Sequence, residues 1–329
     1  MDASRLLIRL PNWLGDALMA RPLLHALRAS FPAATIWAIG RPVGRILERE
    51  RVWDRWSALD ELAGGRAHAT ALAGTRFDAG LILPPSFSSA WMFLRHGVAR
   101  RIGFAADGRS WLLTHAVRRP PRGDLHLSEE YLRLGEPLAL RPVLLPALAP
   151  AADELAAARE RLERVGIGDR PFVVIGPGAA YGAAKRWPFE RFVALARRFS
   201  ARGWAALVAG AAEDRSIAEP MAAAIGERAH AIAGTTSLGE QLALCTLARL
   251  TVSNDSGLAH LAGATGAPTV AIFGSTSSAW TAPLGARVRI VQRAPVCSPC
   301  FQRTCAIGFR CLTAIDVAEV ARICEEVAA

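Results

Sequence analysis

Lysine is almost absent from this 329-residue sequence. Of its 39 basic residues only Lys185 is a lysine, and the other 38 are arginines. The net charge of +10 is therefore carried without lysine-rich arms, and no recognised nucleic-acid-binding motif accompanies it. A basic nucleic-acid-binding protein is the non-enzyme alternative for such a chain. These two absences argue against it, and no nucleic acid is expected among the partners.

Long apolar runs are also missing. No stretch approaches the roughly 20 apolar residues that a membrane-spanning helix needs. The beginning of the chain, MDASRLLIRLPNWLGD, has polar residues where a signal peptide requires an unbroken apolar core. We therefore expect a cytoplasmic protein. With 52% hydrophobic and 21% charged residues, the composition is that of a globular chain.

Chain length and charge suggest two halves. The length suits two domains of about 150 residues each, and prolines interleave with apolar residues over 137–150 without helical periodicity, as in a linker. We expect domains at residues 1–150 and 151–329. The first half holds 20 arginines against 13 acidic residues, the second 19 basic against 16 acidic. An anionic membrane, a nucleic acid or a phosphorylated acceptor would suit the first half, as would a solvated arginine-rich surface.

Lys185 lies in a segment typical of anion binding. Residues 171–192, PFVVIGPGAAYGAAKRWPFERF, predict a buried strand over 172–175, a Gly-Pro-Gly turn, a loop of small residues and a helix opened by Trp187-Pro188. Backbone N–H groups at such a helix start bind anions. An ammonium suits a phosphate as a point charge. A solvated surface lysine is the alternative.

A second segment has the same character. After an expected strand at 250–252 comes SNDSGLAH, residues 253–260. Ser256 and Gly257 would offer N–H groups at a helix start, so that they could hold a diphosphate together with Lys185. Asp255 would repel phosphate but suits sugar hydroxyls. His260, one turn further on, fits either a structural histidine or a site residue.

The N-terminal segment resembles a Rossmann opening. A strand is expected over residues 6–10, followed by the break PNWLGD and an amphipathic helix, although the spacing is not G-x-G-x-x-G. Asp16 would then lie at the carboxyl end of the first strand, where open α/β sheets bind ligands. It could equally be the N-cap of the helix.

Strand and helix patterns alternate through both halves. Strands are expected near residues 35–39, 77–83, 204–209, 230–233 and 268–273, with helices at 86–94, 152–165, 189–199 and 217–225. This alternation predicts an α/β fold of two Rossmann-like domains that face each other across a cleft. The stretch 95–122 is rich in arginine and aromatic residues. It could bind phosphates of an acceptor or form ordinary surface.

Four of the six cysteines, Cys297, Cys300, Cys305 and Cys311, have the spacing C-x2-C-x4-C-x5-C. In a cytoplasmic protein this spacing favours a metal site over disulfides. A structural zinc is the first candidate and an iron–sulfur cluster the second. Four reduced thiols in a loop are the alternative.

Four blocks together carry a family resemblance: residues 12–16, PPSFSSAWM from Pro84, PGAAYGAAKRWP from Pro177 and SNDSGLAH from Ser253. The chain resembles the ADP-heptose:lipopolysaccharide heptosyltransferases of glycosyltransferase family 9, most closely those of type II. The resemblance implies a GT-B fold and an inverting glycosyl transfer that needs no cofactor. It implies ADP-L-glycero-D-manno-heptose as donor and, as acceptor, the heptosyl-Kdo2-lipid A inner core at the inner face of the cytoplasmic membrane.

The resemblance also implies roles for particular residues. Asp16 corresponds to the catalytic aspartate. Just before Lys185, where family members often carry hydroxyl or acidic residues, this chain has an alanine-rich loop. Phosphate binding is therefore left to Lys185 and to backbone N–H groups. The implied sites are the donor diphosphate at Lys185, Ser256 and Gly257; the donor sugar at Asp255 and His260; the nucleoside at Asp214 or Glu213 and at Thr236; and the acceptor at Asn12, Trp13, Gly15, Arg100 and Arg101. The first domain would bind the acceptor and the second the ADP-sugar, and the last helix could pack back on the first domain. A type I or III heptosyltransferase and a nucleotide-sugar epimerase or hydrolase are the alternatives, and the oligomeric state is left open.

Overall fold

The computed structural model describes residues 4–59, 72, 74–141 and 143–329. The chain divides into two compact units, Met1–Pro146 and Ala147–Ala329. The division falls inside the proline-rich stretch 137–150, four residues before the expected end of the first domain. Pro142 of that stretch lies outside the described residues.

The first unit contains a parallel sheet of six strands in the order β3-β2-β1-β4-β5-β6. The 3₁₀ helices Pro42–Glu50, Ser110–Leu112 and Glu136–Leu138 lie in its connections. Its strands are β1 (Arg5–Arg9), β2 (Thr35–Gly40), β3 (Arg55–Ala58), β4 (Ala79–Ile82), β5 (Arg100–Phe104) and β6 (His115–Val117), and its described helices are α1 (Leu14–Met19), α2 (Arg21–Ser30), α3 (Phe87–Arg95) and α4 (Leu127–Arg133).

The second unit contains a parallel sheet in the order β12-β11-β10-β7-β8-β9. Two 3₁₀ helices, Ala183–Lys185 and Ala212–Asp214, follow the first two strands of the unit. Its strands are β7 (Phe172–Gly176), β8 (Ala205–Val208), β9 (Ala229–Ala231), β10 (Leu250–Asn254), β11 (Thr269–Phe273) and β12 (Val288–Gln292). Its helices are α5 (Ala152–Arg164), α6 (Phe189–Ala201), α7 (Arg215–Ile225), α8 (Leu238–Leu247), α9 (Gly257–Ala264), α10 (Ser278–Thr281), α11 (Arg310–Thr313) and α12 (Val317–Ala328).

Both sheets have the same Rossmann strand order, counted from the first strand of each unit. The first strand of each unit lies in the middle of its sheet. The next two strands are added on one side of it and the last three on the other. The order therefore reverses between β1 and β4 in the first unit and between β7 and β10 in the second. All strands are parallel, so their carboxyl ends meet at one edge of each sheet. Open α/β sheets bind ligands at that edge, beside the reversal.

The strands form where the sequence has short, continuous apolar runs. In β7, β10 and β11 every residue is buried, as expected for parallel strands covered by helices on both faces. This confirms the predicted α/β class. Strand β5 and the short edge strands β3, β6 and β12 were not predicted, because they are partly exposed and lack such runs.

The last helix, α12, completes the second unit. Val320, Ala321, Cys324 and Val327 lie in the same apolar cluster as Val252 of β10. The helix packs against α6 and strands β10 to β12 of its own unit. Among the described residues, no helix combines the length and the apolar character needed to cross a bilayer.

A buried ion pair anchors the helices of the first unit. Arg21, the first residue of α2, is 1% exposed and its Nη2 lies 2.5 Å from Oε1 of Glu50, which is 6% exposed. The same Nη2 donates to the carbonyl oxygen of Pro146 at 2.6 Å. Burial alone would raise the pKa of Glu50, but hydrogen bonds from His25 and Arg21 outweigh it and lower the pKa below its ordinary 4.5.

We predict that Arg21→Ala lowers the free energy of unfolding of the first unit by about 3–5 kcal/mol, because it leaves the Glu50 charge buried and unpaired. Since the pKa of Glu50 is lowered in the folded protein, the stabilisation by the pair is fully present above pH 4.5 and is lost as the pH falls through the folded-state pKa. Urea unfolding at neutral and acidic pH measures both effects.

The matched control is Arg45→Ala, which breaks an exposed pair with Glu48 in the same unit; Arg45 is 61% exposed. This variant should cost no more than about 1 kcal/mol. Equal losses from Arg21→Ala and Arg45→Ala at neutral pH would contradict the importance of the buried pair.

Candidate active site

Asn254 holds both ends of the loop that carries Lys185. It is the last residue of β10 and is fully buried. Its Nδ2 donates to the carbonyl oxygen of Pro177 at 2.7 Å, and its Oδ1 accepts from the backbone N–H of Trp187 at 2.9 Å. The loop between β7 and α6 is therefore closed by a single side chain of the neighbouring strand. We did not single out Asn254 from the sequence, although a polar residue that ends a buried apolar strand is a usable signal.

Lys185 points at a carboxylate. Its Nζ lies 2.5 Å from Oδ2 of Asp255, and its side chain is 14% exposed. The same Nζ lies 4.9 Å from the centre of the Tyr181 ring. The alternative of a solvated surface lysine is therefore wrong, because the ammonium is held at the carboxyl ends of β7 and β10.

Asp255 is the centre of this group. Its side chain is 3% exposed, and Thr276 Oγ1 donates to its Oδ2 at 2.6 Å. Nε2 of His260, on α9, lies 3.9 Å from its Oδ1. The structure thus brings together Lys185, Asp255 and His260, as expected, and adds Thr276 from the segment after β11. A carboxylate with several donors around it can exchange one of them for a sugar hydroxyl.

Ser256 and Gly257 lie at the start of α9, as the N-cap and the first helical residue. The first N–H groups of a helix have no partner within the helix, and the helix dipole favours an anion there. Ser256 Oγ lies 2.9 Å from Ser253 Oγ, which in turn donates to the carbonyl oxygen of Gly176. The side-chain hydroxyl is therefore already engaged, and the backbone N–H groups are the better candidates for binding an anion.

The residues expected at the nucleoside lie along the same edge. Asp214 follows β8 and packs so closely on Gly178 that a Cβ there would lie 2.2 Å from its carboxylate. Its Oδ2 accepts from the N–H of Ala211 at 3.0 Å, whereas Glu213 is exposed. Thr236, between β9 and α8, has a buried Oγ1 that makes no hydrogen bond with the described residues. The geometry favours Asp214 over Glu213, because only Asp214 touches the beginning of the Lys185 loop.

In the first unit, Asp16 is the third residue of α1, and the N-cap is Trp13. The N-cap alternative for Asp16 is therefore wrong. The side chain is half-buried near Tyr131 of α4. Burial raises the pKa of Tyr131 well above its ordinary value, and the neighbouring charge of Asp16 raises it further. Asp16 thus lies on the ligand-binding edge of β1, close to a buried phenol.

A charged pair lies beside this phenol. Nε of Arg119 donates to Oε2 of Glu130 at 2.9 Å, and Glu130 is fully buried. The Arg119 guanidinium also lies 5.4 Å from the centre of the Phe104 ring. The charge of Arg119 opposes the effect of Asp16 on the pKa of Tyr131. Sequence reasoning included Arg119 in an arginine-rich stretch without distinguishing it, because its position depends on where β6 ends.

Three expected acceptor residues lie between the end of β1 and the first turn of α1. Oδ1 of Asn12 accepts from Nη2 of Arg9 at 2.5 Å, so that the segment is tied to the end of the strand. Trp13 is 60% exposed, and Gly15 is half-buried in the first turn of α1. All three are within four residues of Asp16, at the carboxyl end of β1.

Comparison with known proteins identifies the family of this chain. The family model described as glycosyltransferase family 9 (heptosyltransferase) matches residues 65–309, about three quarters of the chain. The chain belongs to glycosyltransferase family 9. It is therefore a glycosyltransferase, as the motifs predicted.

Two heptosyltransferases and one solved structure match most of the chain. Lipopolysaccharide heptosyltransferase 2 of Escherichia coli strain K12 is 27% identical over 319 residues, 88% of each chain. Lipooligosaccharide heptosyltransferase 2 of Haemophilus ducreyi is 28% identical over 327 residues, again 88% of each. The solved structure of E. coli ADP-heptose lps heptosyltransferase II is 25% identical, covers 98% of both chains and has a TM-score of 0.82. These matches confirm the predicted GT-B class.

Two acceptor residues expected from the family 9 resemblance lie in the wrong place. Arg100 and Arg101 begin β5, at the amino edge of the sheet, opposite to the edge that follows β1. Arg100 donates to the carbonyl oxygen of Pro137, and Arg101 donates to those of Leu112 and Val98. We therefore withdraw both from the acceptor site, since their guanidinium groups bind backbone carbonyls.

The predicted metal site of this family 9 chain is not formed either. All six cysteines are free, and over the described ranges no group of three or more His, Cys, Asp or Glu side chains is placed to hold a metal ion. Cys297 is exposed, whereas Cys311 is buried. Burial raises the pKa of Cys311, and the neighbouring Cys300 and Cys305 raise it further. The C-x2-C spacing fixes the distance along the chain, but it does not make the four thiols converge.

We predict that Asn254→Ala lowers the free energy of unfolding of the second unit by about 2–4 kcal/mol, because it leaves the Pro177 carbonyl and the Trp187 N–H unpaired. Amide hydrogen exchange over residues 177–187 should become faster at the same time. Urea unfolding and exchange mass spectrometry measure the two effects. Gln302→Ala, at an exposed amide of the same unit, is the control and should change neither. Unchanged exchange in Asn254→Ala would show that Asn254 does not hold the loop.

Proposed function

We propose that this glycosyltransferase moves L-glycero-D-manno-heptose from ADP-heptose to the heptosyl-Kdo2-lipid A inner core during lipopolysaccharide biosynthesis. The observation that carries the proposal is the group formed by Lys185, Asp255 and the start of α9 at the strand reversal of the second sheet. The similarity to heptosyltransferase 2 proteins over 88% of the chain supports the choice of donor and acceptor.

In this proposal the second unit binds the donor. The diphosphate lies against the Lys185 ammonium and the N–H groups of Ser256 and Gly257, where helix dipole and charge both favour an anion. Asp255 and His260 bind hydroxyls of the heptose. The nucleoside lies towards β8 and β9, with the ribose on Asp214 and the adenine near Thr236.

The first unit binds the acceptor and supplies the base. Asp16 is the group of this unit that meets the acceptor hydroxyl. Asp16 takes the proton while the hydroxyl oxygen bonds to the anomeric carbon from the face opposite ADP. The bond from that carbon to the diphosphate breaks, and ADP leaves with the electron pair. Attack from the opposite face inverts the anomeric configuration.

Stabilisation of the leaving group is the main contribution of the second unit. Negative charge grows on the diphosphate as the bond breaks. Each well-placed donor aimed at that charge is worth roughly 3 kcal/mol in the transition state. Lys185 and the N–H groups of Ser256 and Gly257 are held before the reaction by Asp255, Asn254 and the helix itself, so that little reorganisation is needed. Every step is assigned to groups of this chain, and the proposal requires no cofactor.

The acceptor determines where the enzyme works. We propose that it acts in the cytoplasm, at the inner face of the membrane that contains the lipid A core. The excess of arginine in residues 1–150 supports an acceptor or a surface that carries phosphate. A type I or III heptosyltransferase would differ in the acceptor alone, and assays with inner-core acceptors of defined length distinguish these types. A nucleotide-sugar epimerase or hydrolase would consume the donor without any acceptor.

We predict that Asp16→Asn lowers the rate of heptose transfer by about 10²–10⁴-fold, because it removes the general base without changing the size of the side chain. The affinity for ADP should stay within about twofold of the unsubstituted enzyme. Transfer is measured by mass spectrometry of the lipid product, and ADP binding by calorimetry. Asp124→Asn, at an exposed carboxylate of the same unit, serves as control. Near-normal transfer by Asp16→Asn would refute the assignment.

A further inference from the structure

The cysteine-rich segment that follows β12, residues 297–311, packs against the Lys185 loop between β7 and α6. The carbonyl oxygen of Arg303 accepts from the N–H of Ala184 at 3.0 Å. The hydroxyl of Tyr181 donates to the carbonyl oxygen of Phe301. The N–H of Phe301 donates to the carbonyl oxygen of Ser275, just after β11, at 2.8 Å. These contacts hold the segment at the same sheet edge as Lys185 and Asp255.

Gly182 shows how close this approach is. Its φ of 149° lies in the region that favours glycine, and a Cβ there would lie 2.4 Å from the carbonyl oxygen of Arg303. Any larger residue at position 182 would push Arg303 away from the loop. The glycine between Tyr181 and Lys185 is therefore required for the contact with this segment.

Tyr181 brings two cations together. Its ring centre lies 4.9 Å from Nζ of Lys185 and 5.5 Å from Cζ of Arg303. The π face of a ring attracts each cation, but the two cations repel each other. Both cations therefore contact the same ring, and a ligand with more than one negative charge can contact each of them.

The charge balance of the site also favours a ligand with more than one negative charge. The charge of Lys185 is matched by Asp255 at 2.5 Å. Arg303 is exposed, and the structure gives its guanidinium no carboxylate partner in the part of the chain that it describes. The diphosphate of a nucleotide sugar carries two negative charges at neutral pH. The Lys185–Asp255 pair is neutral as a unit, so that an additional cation, such as Arg303, is needed to balance the ligand.

We propose that Arg303 is a further donor-binding residue, which supplies a second cation to the diphosphate beside Lys185, and that Tyr181 is the positioning residue that holds both cations. The inference rests on the proposed function, because it takes a nucleoside diphosphate as the ligand. It gives the segment that contains Cys300 and Cys305 a role in the donor site that requires no metal.

The test is calorimetry of ADP and of adenosine with the full chain. Arg303→Ala should weaken ADP binding about tenfold, because one charge-assisted contact is lost, and should leave adenosine binding unchanged. Arg303→Lys should recover most of the ADP affinity. Arg310→Ala, at an exposed arginine of the same segment, is the matched control and should bind ADP normally.

The ADP affinity of Tyr181 variants provides a second test. Tyr181→Leu should weaken ADP binding, whereas Tyr181→Phe, which keeps the ring, should lose less affinity. In the double variant with Tyr181→Leu, the further effect of Arg303→Ala should fall well below tenfold, because the guanidinium has lost the ring that places it. Fully additive effects would overturn the positioning role of Tyr181.

Two outcomes separate this inference from the proposed function. If Arg303→Ala binds ADP normally while Lys185→Ala binds it more weakly, the role of Arg303 is refuted and the donor site stands. If Lys185→Ala also binds ADP normally, the donor site itself is refuted. Loss of adenosine binding in Arg303→Ala would show that Arg303 is structural, and would overturn the inference as well.

Discussion

The contact between Lys185 and Asp255 is the interaction on which the second unit's site depends. It joins the loop after β7 to the residue after β10, where the strand order reverses. Compared with apolar residues of similar size, a buried ion pair adds little net stability, because desolvation of the two charges offsets their attraction, although removal of one partner is costly. Its role here is to fix the positions of the Lys185 ammonium and the Asp255 carboxylate. The ammonium and the carboxylate are both held at the edge where a ligand can compete for either of them, and Asn254 keeps the loop closed around the pair.

The two units use one topology for different chemistry. Each places a loop and a helix start at the carboxyl end of its first strand. In the second unit that position carries small residues, a lysine and a helix start, which suit a phosphorylated ligand. In the first unit it carries Asp16, beside Tyr131 and the Arg119–Glu130 pair, which suits a group that accepts a proton. The same strand order therefore presents a lysine and helix N–H groups in one unit and a carboxylate in the other.

Prediction from the sequence was most accurate where one residue type determines the local structure. The apolar run before Gly176 and the helix start at Gly257 predicted the strands and loops around Lys185, and their positions agree with the structure to within one or two residues. It failed where a side chain's surroundings come from distant segments. Arg100 and Arg101 face backbone carbonyls because of where β5 begins. Asn254 and Thr276 were not assigned roles, because their partners lie in loops that follow other strands.

The most direct test of the central claim is a crystal structure of the full chain with ADP bound. The account predicts that the β-phosphate contacts Nζ of Lys185 and the N–H groups of Ser256 and Gly257, with the ribose beside Asp214. ADP bound away from the carboxyl ends of β7 and β10, with Lys185 still paired only with Asp255, would contradict it.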